Sequence, residues 1–164
     1  MPAGRLQALL LDEAHRTMTG LSDDDEDRQL TSIPEPVRAI WLLSWLEFEV
    51  SQGALLAYFF NRHGRHAMLA VDVLRRVGAD QMAVVLAEAQ RLHSSGAAEW
   101  TARQQELSGL GAGVVTRPYA DLPGATELDR LTGRFWEAAD LDRWGDKLDA
   151  YLQEQVAHLA DRSI

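Results

Sequence analysis

The sequence predicts an all-α fold: a single compact domain of about seven helices, with a Gly/Pro-rich loop before the last two. Three observations carry this. Apolar residues recur at helical spacing through most of the 164 residues. No alternating run is long enough for a sheet. Glycine and proline fall between the periodic segments, where helices start and stop.

The first helix is predicted over 5–19, with Leu6, Leu9, Leu10, Ala14 and Met18 at helical spacing and Gly20 as its stop. Five consecutive carboxylates follow, Asp23 to Asp27. Such a like-charge block is either a solvated loop or a helix N-terminus. This N-terminal helix and acidic loop, 1–33, precede the rest of the domain. Pro34-Glu35-Pro36 marks the next start, because a proline at the first turn loses only an N–H that has no partner there anyway. Residues 37–50 are apolar almost all round, which places their helix in the middle of a bundle. Ser51-Gln52-Gly53 breaks or kinks it, and Ser51 is expected to cap the next helix, running to Asn61. Asn61 to Gly64 is a stop signal. Further helices are predicted over 65–77, ended by Gly78, from Asp80 as cap through Leu92, over 98–107, over 126–138, and from about Asp140 onward. Between 108 and 125 lie Gly109, Gly111, Gly113, Pro118, Pro123 and Gly124. A connection this long is unusual inside a compact domain. It is expected to set the last two helices apart, and Val114-Val115-Thr116 could be extended.

Composition narrows the function. The chain is 46% hydrophobic and 25% charged, as a globular domain is. With no cysteine, disulfides, thiol catalysis and Cys-ligated metal centres are excluded. There are 25 acids and 16 bases, a net charge of −9. Direct nucleic-acid binding is therefore not expected, since it relies on Lys and Arg neutralising phosphates. The start of the chain lacks a signal-peptide pattern. The run Ala39 to Leu46 falls far short of the ~18 residues of a membrane span. A cytoplasmic location and no membrane partner are the expectations. Residues 1–30 hold 7 acids against 3 bases and residues 101–164 hold 11 against 7, whereas residues 51–100 hold 4 against 5. The acidity thus sits at the two ends.

Several candidate sites have plainer roles. His63 and His66 share a helical face, but without a third ligand of convincing spacing they read as surface or capping histidines rather than a metal site. Gly109 to Gly113 lacks the strand, the helix and the Lys of a phosphate-binding loop. Glu154 and His158 have the spacing of a surface pair. Trp41, Trp45, Phe48, Phe59 and Phe60 read as core. The acidic spacing is more informative. Asp142, Asp146 and Asp149 fall at i, i+4 and i+7 of the predicted last helix, beside Leu141 and Trp144. Carboxylates one turn apart lie ~5–6 Å from each other, of the order of the phosphate spacing on a DNA strand. With Asp23, Asp24, Asp25, Glu26 and Asp27, and with Glu127, Asp129, Glu137 and Asp140, they could form one negative surface of mixed origin, although Arg143 and Lys147 interrupt the stripe.

The stretch Glu47-Phe48-Glu49-Val50-Ser51-Gln52-Gly53-Ala54-Leu55-Leu56-Ala57-Tyr58-Phe59-Phe60-Asn61-Arg62-His63-Gly64 resembles the signature of the DNA mimic protein 19-like family. That pattern is roughly Glu-Val-Asn-Asn-Gly-Gly-Phe-x-Gln-Tyr-Phe-x-Asn-x-x-Gly. The likeness covers about 38–155. It departs where Ser51-Gln52-Gly53-Ala54-Leu55 stands for Asn-Asn-Gly-Gly-Phe and where Ala57 stands for Gln. The motif residues Ser51, Gly53, Tyr58, Phe59, Asn61 and Gly64 are of turn and core type, so the resemblance implies architecture: an all-helical fold. For the named member it also implies a homodimer whose carboxylates imitate DNA phosphates on a transcription factor. The family's acids lie outside the motif, so function rests on this chain's own acidic residues.

The expectation is an acidic protein-binding domain, with a DNA mimic as its sharpest form. It would occupy the basic surface of a partner such as a DNA-binding protein, with no catalytic residues, cofactor or metal. The alternatives are a small interaction or immunity-type module docking through an apolar groove, and an enzyme revealed by a cleft of perturbed acids or histidines.

Overall fold

The structure is a computed structural model that describes residues 3–108 and 119–161. Among these residues every regular element is helical: α1 (Ala3–Met18), α2 (Asp23–Ser32), α3 (Glu35–Phe60), a 3-10 turn (Arg62–His66), α4 (Ala67–Val77), α5 (Asp80–Ser95), α6 (Ala97–Ser108), α7 (Ala125–Asp142) and α8 (Trp144–Asp161). The predicted glycine-rich loop at 109–113 and the extended segment at 114–116 lie outside the described residues.

Helix α3 is the axis of the bundle. Apolar on all sides, it can satisfy that surface only by being surrounded, and α1, α4, α7 and α8 pack around it. The buried apolar residues form one cluster from Leu6 to Leu152. Helices α7 and α8 belong to this cluster through Leu128, Leu131, Phe135, Leu148 and Leu152, so the loop before them does not set them apart. Helix α5 lies against α4 on one side and α7 on the other.

The break in α3 falls at Gly53 (φ −159°, ψ 31°) and Ala54 (φ 67°, ψ −177°). Ala54 occupies backbone space that is essentially glycine's, at a cost on the order of 1–3 kcal/mol. Ser51 does not cap the second half; its hydroxyl donates back to the Phe48 carbonyl at 2.7 Å. The cap comes from another helix, where Thr132 Oγ1 of α7 accepts from the Leu55 N–H at 3.0 Å. Beyond the break, Tyr58 and Phe59 are buried and the Asn61 N–H closes the helix on the Ala57 carbonyl at 2.8 Å. Gly64 lies so close to the preceding turn that a Cβ there would come within 2.7 Å of the Phe59 Cα. The motif residues therefore build a kink, a core and a tight turn.

Three boundaries are decided by the structure. The acidic run takes the second of its two expected forms, a helix N-terminus and not a loop: Ser22 caps α2 by accepting from the Asp25 N–H at 3.2 Å, and Asp23, Asp24, Asp25 and Glu26 occupy the first turn, where the helix dipole favours anions. Asp80 does not cap α5; Ala79 holds that position without a side-chain bond. Asp142 closes α7 instead of opening the last helix, because Arg143 turns left-handed (φ 50°) between the two.

Candidate docking surface

Most of the acids expected to form one surface are spent within the fold. Glu26 is 1% exposed. Its two oxygens accept from the Trp41 Nε1–H at 3.3 Å and from Arg65 Nη2 at 3.1 Å. The Arg65 guanidinium also pairs with Asp23 at 2.5 Å and Asp27 at 3.2 Å, and its Nε donates to His66 Nε2 at 3.1 Å. Desolvation, reinforced by Arg65, lowers the pKa of the buried His66. Asp25 pairs with Arg28; the Ser22 hydroxyl first and Arg28 second hold its carboxyl below the ordinary value. The cluster at α2 and the 3-10 turn is thus a structural knot centred on Arg65, with Asp24 as its exposed member that makes no ion pair with any described residue.

The second predicted group comes apart for a different reason. The helix boundary at Arg143 takes Asp142 off the last helix, so the i, i+4, i+7 stripe does not exist. Asp142 is buried and accepts from the Met82 N–H at 3.0 Å, satisfying an amide in the first turn of α5 that Ala79 leaves open. Lys147 approaches it at 3.7 Å and donates to the Gly78 carbonyl. Asp146 pairs with Arg143 at 2.5 Å, and Asp149 accepts from Gln7 Nε2 of α1 at 2.8 Å. Glu26 and Asp142 therefore cannot touch a partner, and the remaining acids of these two groups do not form a continuous bare band.

Bare acids occur in the third predicted group, on α7, joined by Asp80, which the sequence marks only as a cap. Glu127, Asp129, Glu137 and Asp140 on α7, and Asp80 at the start of α5, are exposed and make no ion pair with any described residue. Helices α5 and α7 run antiparallel: the first turn of α5 meets the end of α7 at Asp142, and eight residues on Glu88 pairs with Arg134 at 2.9 Å. Between them lies a groove of about 340 Å³ lined by Asp80, Val84, Val85, Glu137, Ala138 and Leu141, among others. Val84 is 60% and Leu141 70% exposed. The sequence held a signal for this face, since Val84 and Leu141 are apolar yet out of register with the inward rows Met82–Val85–Leu86–Ala89 and Leu128–Leu131–Phe135.

The aromatic and histidine sites also resolve. Trp41 and Phe59 are core, but Phe48 is 54% exposed. With Leu11, His15, Ser44 and Trp45 it lines a second apolar pocket of about 300 Å³. His63 is no surface residue. It stacks on Trp45 at 4.0 Å, and its Nδ1 lies 2.9 Å from Glu49 Oε1. Burial raises the pKa of Glu49, against the lowering effect of His63. Glu154 and His158 form an exposed pair at 3.5 Å. Among the described residues no group of three or more His, Asp or Glu is placed to hold a metal ion, and no helix is long and apolar enough to cross a membrane.

The motif that builds the kink and turn of α3 lies inside a longer match, residues 31–155, to the family described as DMP19-like protein. The chain belongs to this family. The match spans α3 to most of α8 and leaves α1 and nearly all of α2 outside, so the knot around Arg65 is only half within the DMP19-like region. The α5/α7 groove lies wholly within it. The curated proteins and the solved structures give no match.

Proposed function

We propose that this DMP19-like chain is an acidic protein-binding domain that docks on the basic surface of a partner. The DNA-mimic form of the reading makes that surface a DNA-binding one. The observation that carries it is the set of bare acids on α5 and α7: Asp80, Glu127, Asp129, Glu137 and Asp140. Most other carboxylates either sit beside a guanidinium or are buried. Anions left exposed without a counter-charge give a field that steers a cationic partner and adds little to fold stability. Membership of the family and the net charge of −9 support the same reading.

Capture of partners from lysate on the immobilised protein tests it, with identification by mass spectrometry. Basic DNA-binding proteins should be retained at low salt. They should be lost at high salt, where the screening length shrinks from about 10 Å at 0.1 M to about 3 Å at 1 M. Duplex DNA should displace them. The variant D80K/E137K/D140K should retain none. Retention indifferent to salt, DNA and charge reversal would refute the proposal.

A second reading is favoured by one observation, the apolar pocket at Phe48. A module docking there would insert an apolar side chain between His15, Trp45 and Phe48. Phe48→Ser would then abolish capture while D80K/E137K/D140K left it intact.

A further inference from the structure

We infer that the α5/α7 groove seats a basic amphipathic helix of the partner. The inference rests on the acidic-docking reading and adds where the partner sits and what part of it does so. The groove joins two features that seldom meet on a monomer. Val84 and Leu141 face solvent from opposite helices, apolar side chains that no described element covers. Asp80 and Glu137 stand on the same rim, and neither pairs with a cation of the described residues; Arg134, which also lines the groove, is taken by Glu88.

An apolar trough between two antiparallel helices fits a third helix, whose side-chain ridge at i, i+3 or i+4, and i+7 drops into it. With no strand among the described residues, there is no sheet edge here to which an extended peptide could add. The charge specifies the helix further. At the start of α5 the rim is bare acid. Glu88, just over two turns from Asp80, and Arg134, under one turn from Glu137, neutralise each other, and beyond them Arg91 and Arg130 are exposed. The occupant therefore carries Lys or Arg over Asp80 and Glu137, where the acids are unpaired. A second copy of the chain is the competing occupant that the test separates.

The test uses a fluorescein-labelled Leu/Lys amphipathic peptide of about 15–18 residues, long enough to form a helix. An oligolysine of equal charge is the control, and both are titrated into the full chain by anisotropy. The amphipathic peptide should bind at least tenfold tighter than oligolysine. V84S/L141S should weaken it at least tenfold with no change in melting temperature, since both side chains are exposed. D80K/E137K should weaken it comparably and flatten its salt dependence. If oligolysine binds as well as the amphipathic peptide and V84S/L141S has no effect, the groove is overturned while the acidic-docking reading stands. If neither cationic probe binds, the acidic reading fails and the groove with it. If light scattering shows a dimer that V84S/L141S converts to monomer, the seat belongs to a second copy and the inference is overturned.

Discussion

The acidic start of α2 and the acidic rim of α5 and α7 look alike in composition and behave in opposite ways. At α2, several carboxylates converge on the Arg65 guanidinium, and one of them, Glu26, is removed from water altogether. At α5/α7 the acids stand at the surface without an ion pair to any described residue, and the Arg134 of their groove is taken by Glu88. Negative charge in a sequence is therefore not the same as negative surface. Charge that folding has paired makes structure, and charge that folding has left bare is free to meet a partner.

The sharpest way to break the contrast is Arg65→Ala. It would leave Glu26 buried without its main counter-charge and cost about 3 kcal/mol, read by urea denaturation. A loss below 1 kcal/mol would mean that the knot is not structural. Next, Asp142→Ala should cost about 1–2 kcal/mol by orphaning the Met82 N–H, whereas Asp142→Asn, which keeps an acceptor, should recover most of it. In the opposite direction, Ala54→Gly should stabilise the chain by about 1 kcal/mol, because strain relief outweighs the added freedom of the unfolded state. The family pattern places a second glycine at that position.

Acid is a gentler probe of the same interior. Burial holds both His66 and His93 below the ordinary histidine value of 6.5. As pH falls below that value the unfolded chain gains protons that the folded chain does not. Their contribution is thus complete above 6.5 and declines toward the lower folded values. Glu49, raised by burial, works in the opposite sense: its contribution is complete below its ordinary value of 4.5 and is lost as pH rises through the folded value. The melting temperature should drop as pH falls from about 6.5 to about 5, and His93→Gln should reduce the slope. An unchanged slope would place the titration elsewhere. The smallest expected effect is at the bare rim. Glu137→Lys should shift stability by no more than about 0.5 kcal/mol while reversing the local charge.

Much of the fold is legible in the chain. The all-round apolar run of α3, the stops at Gly20 and Gly78 and the break near Gly53 are local signals, set by side-chain periodicity and backbone freedom. The motif from Gly53 to Gly64 carried the family for the same reason: its residues answer to the kink and turn they form. The site was much less legible. The spacing of Asp142, Asp146 and Asp149 promised one face, but a left-handed turn at Arg143, a residue with no turn preference of its own, divided it. The cap on Leu55 comes from Thr132, which no local rule could locate.

The sequence by itself determined the helices, their order, the central place of α3 and the excess of negative charge, because each follows from residue type and near neighbours. Only the tertiary structure decided which carboxylates are neutralised and which are bare. That depends on whether folding brings a guanidinium such as Arg65, some forty residues along the chain, within reach of α2, while the Arg134 beside Glu137 is turned to Glu88 instead.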